Sequence, residues 1–411
     1  LNRENWAQPY WFWALVVSFA SVIVYLRAMT LPLISDDYLV LWLARSYGEP
    51  GGWAGLAGDA LYRCRATFMV LTHFMDRWFG VDDFPYKVAS LAVHVGSCLL
   101  VLALGSWKVI GWRLAVPAAV FFATHHGHQE AVIWYSAMPD QLALAFTLAA
   151  ILAWVHSRPV LVWGFYALAL LSKESGVALV GLLGLVMLAD GQPWRRVLRQ
   201  TAPMALVALL YFAASFAARG DHLHFNDGTF SLSAPFPLVI GRSMARALWV
   251  TGWLSLGLLA WKRPTHLWRP AGFGLAWMAL ALLPYAFLTY MPVVPSRHAY
   301  LAGVGLAMVA AVGFTILREH LPLRPVVAIV AGVLAIKCGY LWTRKHQQFE
   351  ERANPTERLV EVVRYRKGPV AVECFPYPAQ IADLAVRLHV GGPRELRHSC
   401  PEGQSFRVSA D

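Results

Sequence analysis

Asp36 and Asp37 stand side by side in LPLISDDYLV, just beyond a long apolar run. A carboxylate there can take a proton from an incoming hydroxyl or hold a divalent ion that bridges substrate phosphates. Neighbouring residues on a helix point about 100° apart, so the two cannot act as one paired face. One is expected in a cavity, the other against water, a helix N-terminus or a cation. The plainer reading is a solvated boundary and an N-cap for a helix over 38–46. A second cluster, His125, His126, His128 and Glu130, lies in FFATHHGHQEAVIW. His126 and Glu130 are four apart and share a face if a helix continues through them. That spacing resembles a metal pair but lacks the full HExxH arrangement. Asp140 follows near the start of the next apolar run and reads as a cap that meets the helix dipole. In LLSKESG, Lys173 and Glu174 separate two apolar runs with almost no loop. This is either a turn at the lipid headgroups or an ammonium placed for a lipid phosphate. Arg297 heads a run in SRHAYLAGVGLA. Its guanidinium can grip phosphate through two parallel hydrogen bonds, or anchor the interface beside Tyr300. The segment RGDHLHFNDGTF (219–230) reads as a solvated loop.

The elements that position these residues are set by hydropathy. Of 411 residues, 58% are hydrophobic and 14% charged, which leaves too little polar surface for a soluble chain of this length. Eighteen tryptophans suit membrane interfaces. Apolar runs of bilayer-crossing length, roughly 17–25 residues, are expected at 11–29, 85–106, 114–135, 137–156, 159–172, 175–190, 202–218, 238–261, 271–290, 299–317 and 325–343. The stretch 64–84 holds too many charges for lipid and reads as an interfacial or re-entrant helix. No cleavable signal peptide is expected, because small residues do not close the first apolar run.

Charge orients the bundle. Lys108, Arg113, Arg158, Arg195, Arg196, Arg199, Lys262, Arg263, Arg269, Arg318 and Arg324 fall in alternate connections, which the positive-inside rule makes cytoplasmic. Asp36, Asp37, the histidine cluster, Glu130, Lys173, Glu174, Asp221, Asp227, Arg297 and His298 fall in the other set. These are expected on the extracytoplasmic side. Residues 344–411 turn polar, with a short strand in GPVAVECF and a helix in PAQIADLAVRLHV that ends at Gly391 and Gly392. They read as a small extracytoplasmic α/β appendage after a transmembrane domain of 1–343. Cys374 and Cys400 could form a disulfide or remain two buried thiols. Cys64, Cys98 and Cys338 fit no metal pattern.

The order of these motifs, an acidic pair, then EAVIWYSAMPDQLALAF, LLSKESG and SRHAYLAGVGLA, resembles the GT-C-type integral-membrane glycosyltransferases. It is most similar to bacterial relatives of the tetratricopeptide-containing membrane protein O-mannosyltransferases, over about residues 10–320. Those proteins read like HPVHVEA where this chain has HHGHQEA, and have an acid where this chain has Ser296. Their tetratricopeptide repeats are not expected here, since 344–411 is too short for several copies of a 34-residue unit. The resemblance implies an all-α polytopic fold of about eleven transmembrane helices and transfer of a hexose or pentose from a polyprenyl-phosphate donor to a glycan, lipid or protein hydroxyl. It implies inversion at the sugar carbon, with Asp36 or Asp37 as general base. Lys173 and Arg297 would bind the donor phosphate, and His128, Glu130 and Glu174 would orient substrate. No cofactor is required; a divalent metal, held by His126 and Glu130, is optional. The expected location is a bacterial inner membrane. The alternatives are a lipid-linked glycan transporter or flippase, and an enzyme of the O-antigen polymerase or ligase type. Against a transporter stand the missing inverted repeat and the clustering of polar groups at one face.

Overall fold

The apolar runs fold largely as helix, because a backbone in lipid must satisfy its own polar groups. The computed structural model describes residues 10–49, 51–221, 225, 228–289, 292–366, 368–400 and 405–410. Asp227, part of the 219–230 loop and the end of the 271–290 run fall partly or wholly outside them. Among the described residues, six helical stretches are long and apolar enough to cross a bilayer: Tyr10–Thr30, Asp83–Ser106, Tyr135–Val155, Trp194–Ala217, Gly303–His320 and Leu323–Tyr365. Gly111–Ala123, Pro159–Leu170 and Glu174–Ala189 are shorter apolar helices. Phe236–Lys262 and Trp268–Leu282 complete the bundle. The protein is an all-α polytopic membrane protein with a small C-terminal α/β unit.

One expected span is corrected. The 114–135 run stops being a regular helix at Ala123. The chain then passes through 3₁₀ turns at His126–His128 and Tyr135–Ala137, with a five-residue helix Gln129–Ile133 between them. The cause is local: residues 125–130 carry three imidazoles and a carboxylate, groups costly in lipid that turn towards a polar cavity instead. His126 and Glu130 therefore do not sit four apart on one helix.

Ala66–Phe79 behaves as the interfacial helix expected in 64–84. Val70, Phe74 and Trp78, at i, i+4 and i+8, form an exposed apolar stripe. Asp76 on the opposite side accepts from both Nε and Nη2 of Arg45, at 2.9 and 2.6 Å, tying this helix to Asp36–Tyr47.

Contacts sort the connections into two ends, as charge does. At one end Trp107 Nε1 donates to Asp190 (2.6 Å), Arg113 and His266 both reach Glu319 (3.6 and 3.3 Å), and Ser106 meets His156 (3.3 Å). At the other, Asp37 is bonded to Ser136, Glu130 to Ser296, Arg65 to Glu174, and Lys173 to Asp140 and His298. The polar clusters singled out in the sequence share this second end.

The C-terminal unit grows out of the last spanning helix without a break. Leu323–Tyr340 runs through a π-helical turn, Leu341–Lys345, into His346–Tyr365. Three strands follow in the sheet order β2-β1-β3: β1 (Val370–Glu373) pairs in parallel with β2 (Leu396–Ser399) and antiparallel with β3 (Arg407–Ala410). The helix Ala379–Val390 ends at Gly391, whose φ of 76° forms the left-handed cap. Leu359, Val363, Val370, Val372, Ala382 and Val386 make a separate core for this unit. Ile381, Ala385 and Leu388 share a second cluster with Tyr38 and Leu41, so the unit is seated on the Asp36–Tyr47 helix.

Cys374 and Cys400 are joined in a disulfide that closes 26 residues of chain and links the end of β1 to the segment after β2. Replacing both by serine is expected to destabilise this unit by about 2–4 kcal/mol. The check is proteolysis of the purified protein: cleavage beyond residue 366 should accelerate while the bundle stays intact.

Candidate functional site

The two aspartates have opposite surroundings. Asp37 is fully buried at the first turn of its helix, where its carboxylate accepts from Ile34 N (2.9 Å), Ser136 N (2.8 Å) and Ser136 Oγ (2.6 Å). Burial raises its pKa, opposed by the Lys87 charge and these hydrogen bonds. It cross-braces the first connection to residues 134–138. Asp36 is exposed, and its one hydrogen bond among those described is from Ser35 Oγ (3.2 Å). Ser35 has φ 47°, an uncommon conformation for a residue with a side chain, and the turn it makes separates the two carboxylates. Asp36 lies within electrostatic reach of Tyr62 and of Tyr377 in the C-terminal unit.

Tyr62 leads to a first cavity, of about 380 Å³. The Arg65 guanidinium lies 5.9 Å from the Tyr62 ring centre and 3.6 Å from Glu174. Arg65, Lys173, Glu174 and His298 form the polar end of this cavity. Its walls are apolar and aromatic, including Tyr211, Phe212, Phe230, Leu280 and Phe287. Lys173 and Asp140 form a buried ion pair (2.5 Å), and Tyr285 donates to the other carboxylate oxygen (2.7 Å). His298 Nδ1 is 3.1 Å from Lys173 Nζ, and burial together with that ammonium lowers its pKa to about 3. The Tyr285 ring stacks on His298 with centroids 4.5 Å apart. A neutral imidazole and a tyrosine thus hold the Lys173–Asp140 pair in place.

A second cavity, of about 510 Å³, is lined by His125, His126, His128, Glu130, Arg246, Trp249, Ser296, Tyr340 and Lys345 among others. His128 Nδ1 is 3.1 Å from the Phe122 carbonyl, and its Nε2 faces Gly303, where a Cβ would fall 2.3 Å away. Glu130 Oε2 accepts from Ser296 Oγ (2.6 Å) and Arg297 N (3.3 Å). Trp249 breaks the Phe236–Lys262 helix with φ 42° and packs its ring 4.7 Å from that of His126. Burial lowers the pKa of all three histidines, to about 4 for His126 and well below the ordinary value for His125 and His128. Their imidazoles are neutral.

The turn at Ser296–His298 joins the two cavities, with Ser296 lining the second and His298 the first. Arg297 between them lines neither; its guanidinium lies 4.9 Å from the centre of the Trp134 ring. Arg352 of the C-terminal unit lies at the same distance from that ring.

The structure therefore divides the residues expected to form one site. Lys173 and Glu174 line the first cavity and His126, His128 and Glu130 the second, while Asp36 is exposed on the same end and Asp37 is used structurally. Among the described residues no group of three histidine, cysteine, aspartate or glutamate side chains is arranged to hold a metal ion. Sequence reasoning missed Asp140 as a buried hub, having read it as a cap. It also missed Arg65, Tyr285, Trp134 and Arg352. Arg65 had a visible signal, a basic residue in the interfacial stretch; the others depend on contacts far apart in sequence.

No protein-family model matches the chain, and neither does any curated protein. Among solved structures, ArnT from Cupriavidus metallidurans, crystallised bound to undecaprenyl phosphate, superimposes with a TM-score of 0.46 at 17% identity, over 95% of this chain and 76% of its own.

Proposed function

We propose that this chain is a GT-C-type membrane glycosyltransferase that moves a hexose or pentose from a polyprenyl-phosphate donor to an acceptor hydroxyl on the extracytoplasmic face. The observation that carries this reading is the first cavity: apolar and aromatic walls suited to a polyprenyl chain end at Arg65 and Lys173, two cations suited to its phosphate. Asp36 supplies the remaining element, an exposed carboxylate near Tyr62 on the same end.

In this mechanism Asp36 accepts the proton of the acceptor hydroxyl as its oxygen attacks the anomeric carbon. The bond from that carbon to the phosphate oxygen breaks on the opposite face, and polyprenyl phosphate leaves with the electron pair. One displacement inverts the sugar carbon. Arg65 and Lys173 stabilise the negative charge that grows on the leaving phosphate. Arg297 holds the wall between the cavities through Trp134 and the Glu130 contact. The chemistry needs no metal, because cationic side chains occupy the phosphate end. The extracytoplasmic assignment is supported by the arginine-rich connections at the other end and by the Cys374–Cys400 disulfide, a bond of oxidising compartments.

The test is release of polyprenyl phosphate from a panel of lipid-phosphate sugars by the purified protein, with and without a chelator and with envelope extract as acceptor. Release with at least one donor, insensitive to the chelator, is expected. No release from any donor would overturn the reading in favour of a transporter or a diphosphate-lipid substrate.

A further inference from the structure

We infer that the second cavity is the acceptor site, and that the acceptor it takes is an anionic sugar, one bearing a phosphate or a carboxylate. The acceptor role rests on the transferase reading and on an acceptor long enough for its hydroxyl to reach Asp36, which does not line this cavity; the preference for an anionic sugar rests on the cavity alone. Three cations elsewhere at this end have carboxylates beside them. Lys173 has Asp140, Arg65 has Glu174, and Lys87 donates to the Ile133 carbonyl near Asp37. Around the second cavity the pattern reverses. Arg246, which is exposed, and Lys345, which is half-buried, line it with no carboxylate partner among the described residues; Arg246 donates to the Val294 carbonyl and Lys345 to Gln348. Lys337, 3% exposed and within electrostatic reach of the three histidines, has no hydrogen-bond partner for its ammonium, which lies 3.9 Å from the centre of the Phe121 ring.

The imidazoles show the same deficit. His125 Nδ1, His126 Nδ1 and His128 Nε2 are buried without a partner. Leaving several buried polar groups without partners is costly, and native structures seldom do so without a ligand or ordered water to complete them. Among the described residues the one acid lining the cavity, Glu130, is engaged by Ser296 and the Arg297 amide. An anion would accept from the cations and from the His125 and His126 rings, while His128 Nε2, left as an acceptor because Nδ1 donates to the Phe122 carbonyl, suits a sugar hydroxyl. A sugar is indicated by the rest of the wall. Trp249 and Tyr340 offer ring faces for a pyranose, and about 510 Å³ holds one or two such rings. The Ser296–His298 turn sets this space directly beside the donor cavity.

The experiment uses the full-length protein in detergent and ligand-observed saturation-transfer NMR, with glucose 6-phosphate, glucuronic acid, glucose and inorganic phosphate as probes. At least one anionic sugar is expected to bind about tenfold more tightly than glucose, a difference of about 1.4 kcal/mol. The two anionic sugars tell a phosphate-bearing acceptor from a uronic one. Lys337→Met is expected to abolish that preference, and Arg246→Gln, on the exposed wall, to weaken it without threatening the fold. Equal binding of glucose, or a preference that survives in both variants, would overturn the inference. Inorganic phosphate binding as well as glucose 6-phosphate would overturn its sugar component. Displacement of the anionic sugar by undecaprenyl phosphate would put the donor headgroup here and overturn the assignment to acceptor. Undecaprenyl phosphate binding is measured in parallel: its absence, with the anionic preference intact, would remove the transferase reading and leave the anionic-sugar site standing.

Discussion

Asp36→Asn is expected to lower kcat for sugar transfer by about 10²–10⁴-fold, the contribution of a positioned general base, with no change in melting temperature. The neighbouring substitution should behave in the opposite manner. Asp37→Ala removes the acceptor for Ile34 N, Ser136 N and Ser136 Oγ together. It leaves buried donors unsatisfied at about 1–3 kcal/mol each, so the protein should lose about 3–5 kcal/mol of stability. The measurement pairs a single-turnover release assay with thermal unfolding in detergent for both variants. If Asp36→Asn retained full turnover, the base would have to be sought elsewhere. A stable but inactive Asp37 variant would exchange the roles of the two carboxylates.

The second large effect is expected at the Lys173–Asp140 pair. Asp140→Asn leaves the buried ammonium without its countercharge, which costs about 3–5 kcal/mol. Lys173→Met strands the carboxylate in the same way. The double variant Asp140→Asn/Lys173→Met removes both charges, and most of the stability should return, because a well-packed neutral pair is often no worse than a buried ion pair. Polyprenyl phosphate release should remain depressed in the double variant, since the cation that faces the leaving phosphate is gone. Thermal unfolding and release, measured over the four proteins of the cycle, separate the two roles. Recovery of both stability and release would make Lys173 a structural residue only. Loss of release without any loss of stability in Asp140→Asn would contradict the buried pairing.

Composition and the spacing of apolar runs were enough to set the class of this protein, since few other solutions exist for long apolar segments in lipid. The helical runs were legible on that basis, six helical stretches among the described residues being long and apolar enough to cross a bilayer. So was the C-terminal unit, whose strand and helix signals are local; the pairing of Cys374 with Cys400 was not, because it depends on β1 and the segment after β2 being brought together. The 114–135 segment shows the limit of periodicity. Its apolar part reads as a span, but the histidines and Glu130 turn the chain aside, and only the contact of Glu130 with Ser296, far along the sequence, reveals where it goes. The candidate residues were recognised by type, while their division between two cavities was not, because no spacing along a chain says which turns will meet. Sequence placed Asp36 and Asp37 together just beyond the first apolar run. Tertiary structure decided their difference: residues 134–138 reach back to bury Asp37 in hydrogen bonds, while Asp36 is left exposed among the described residues.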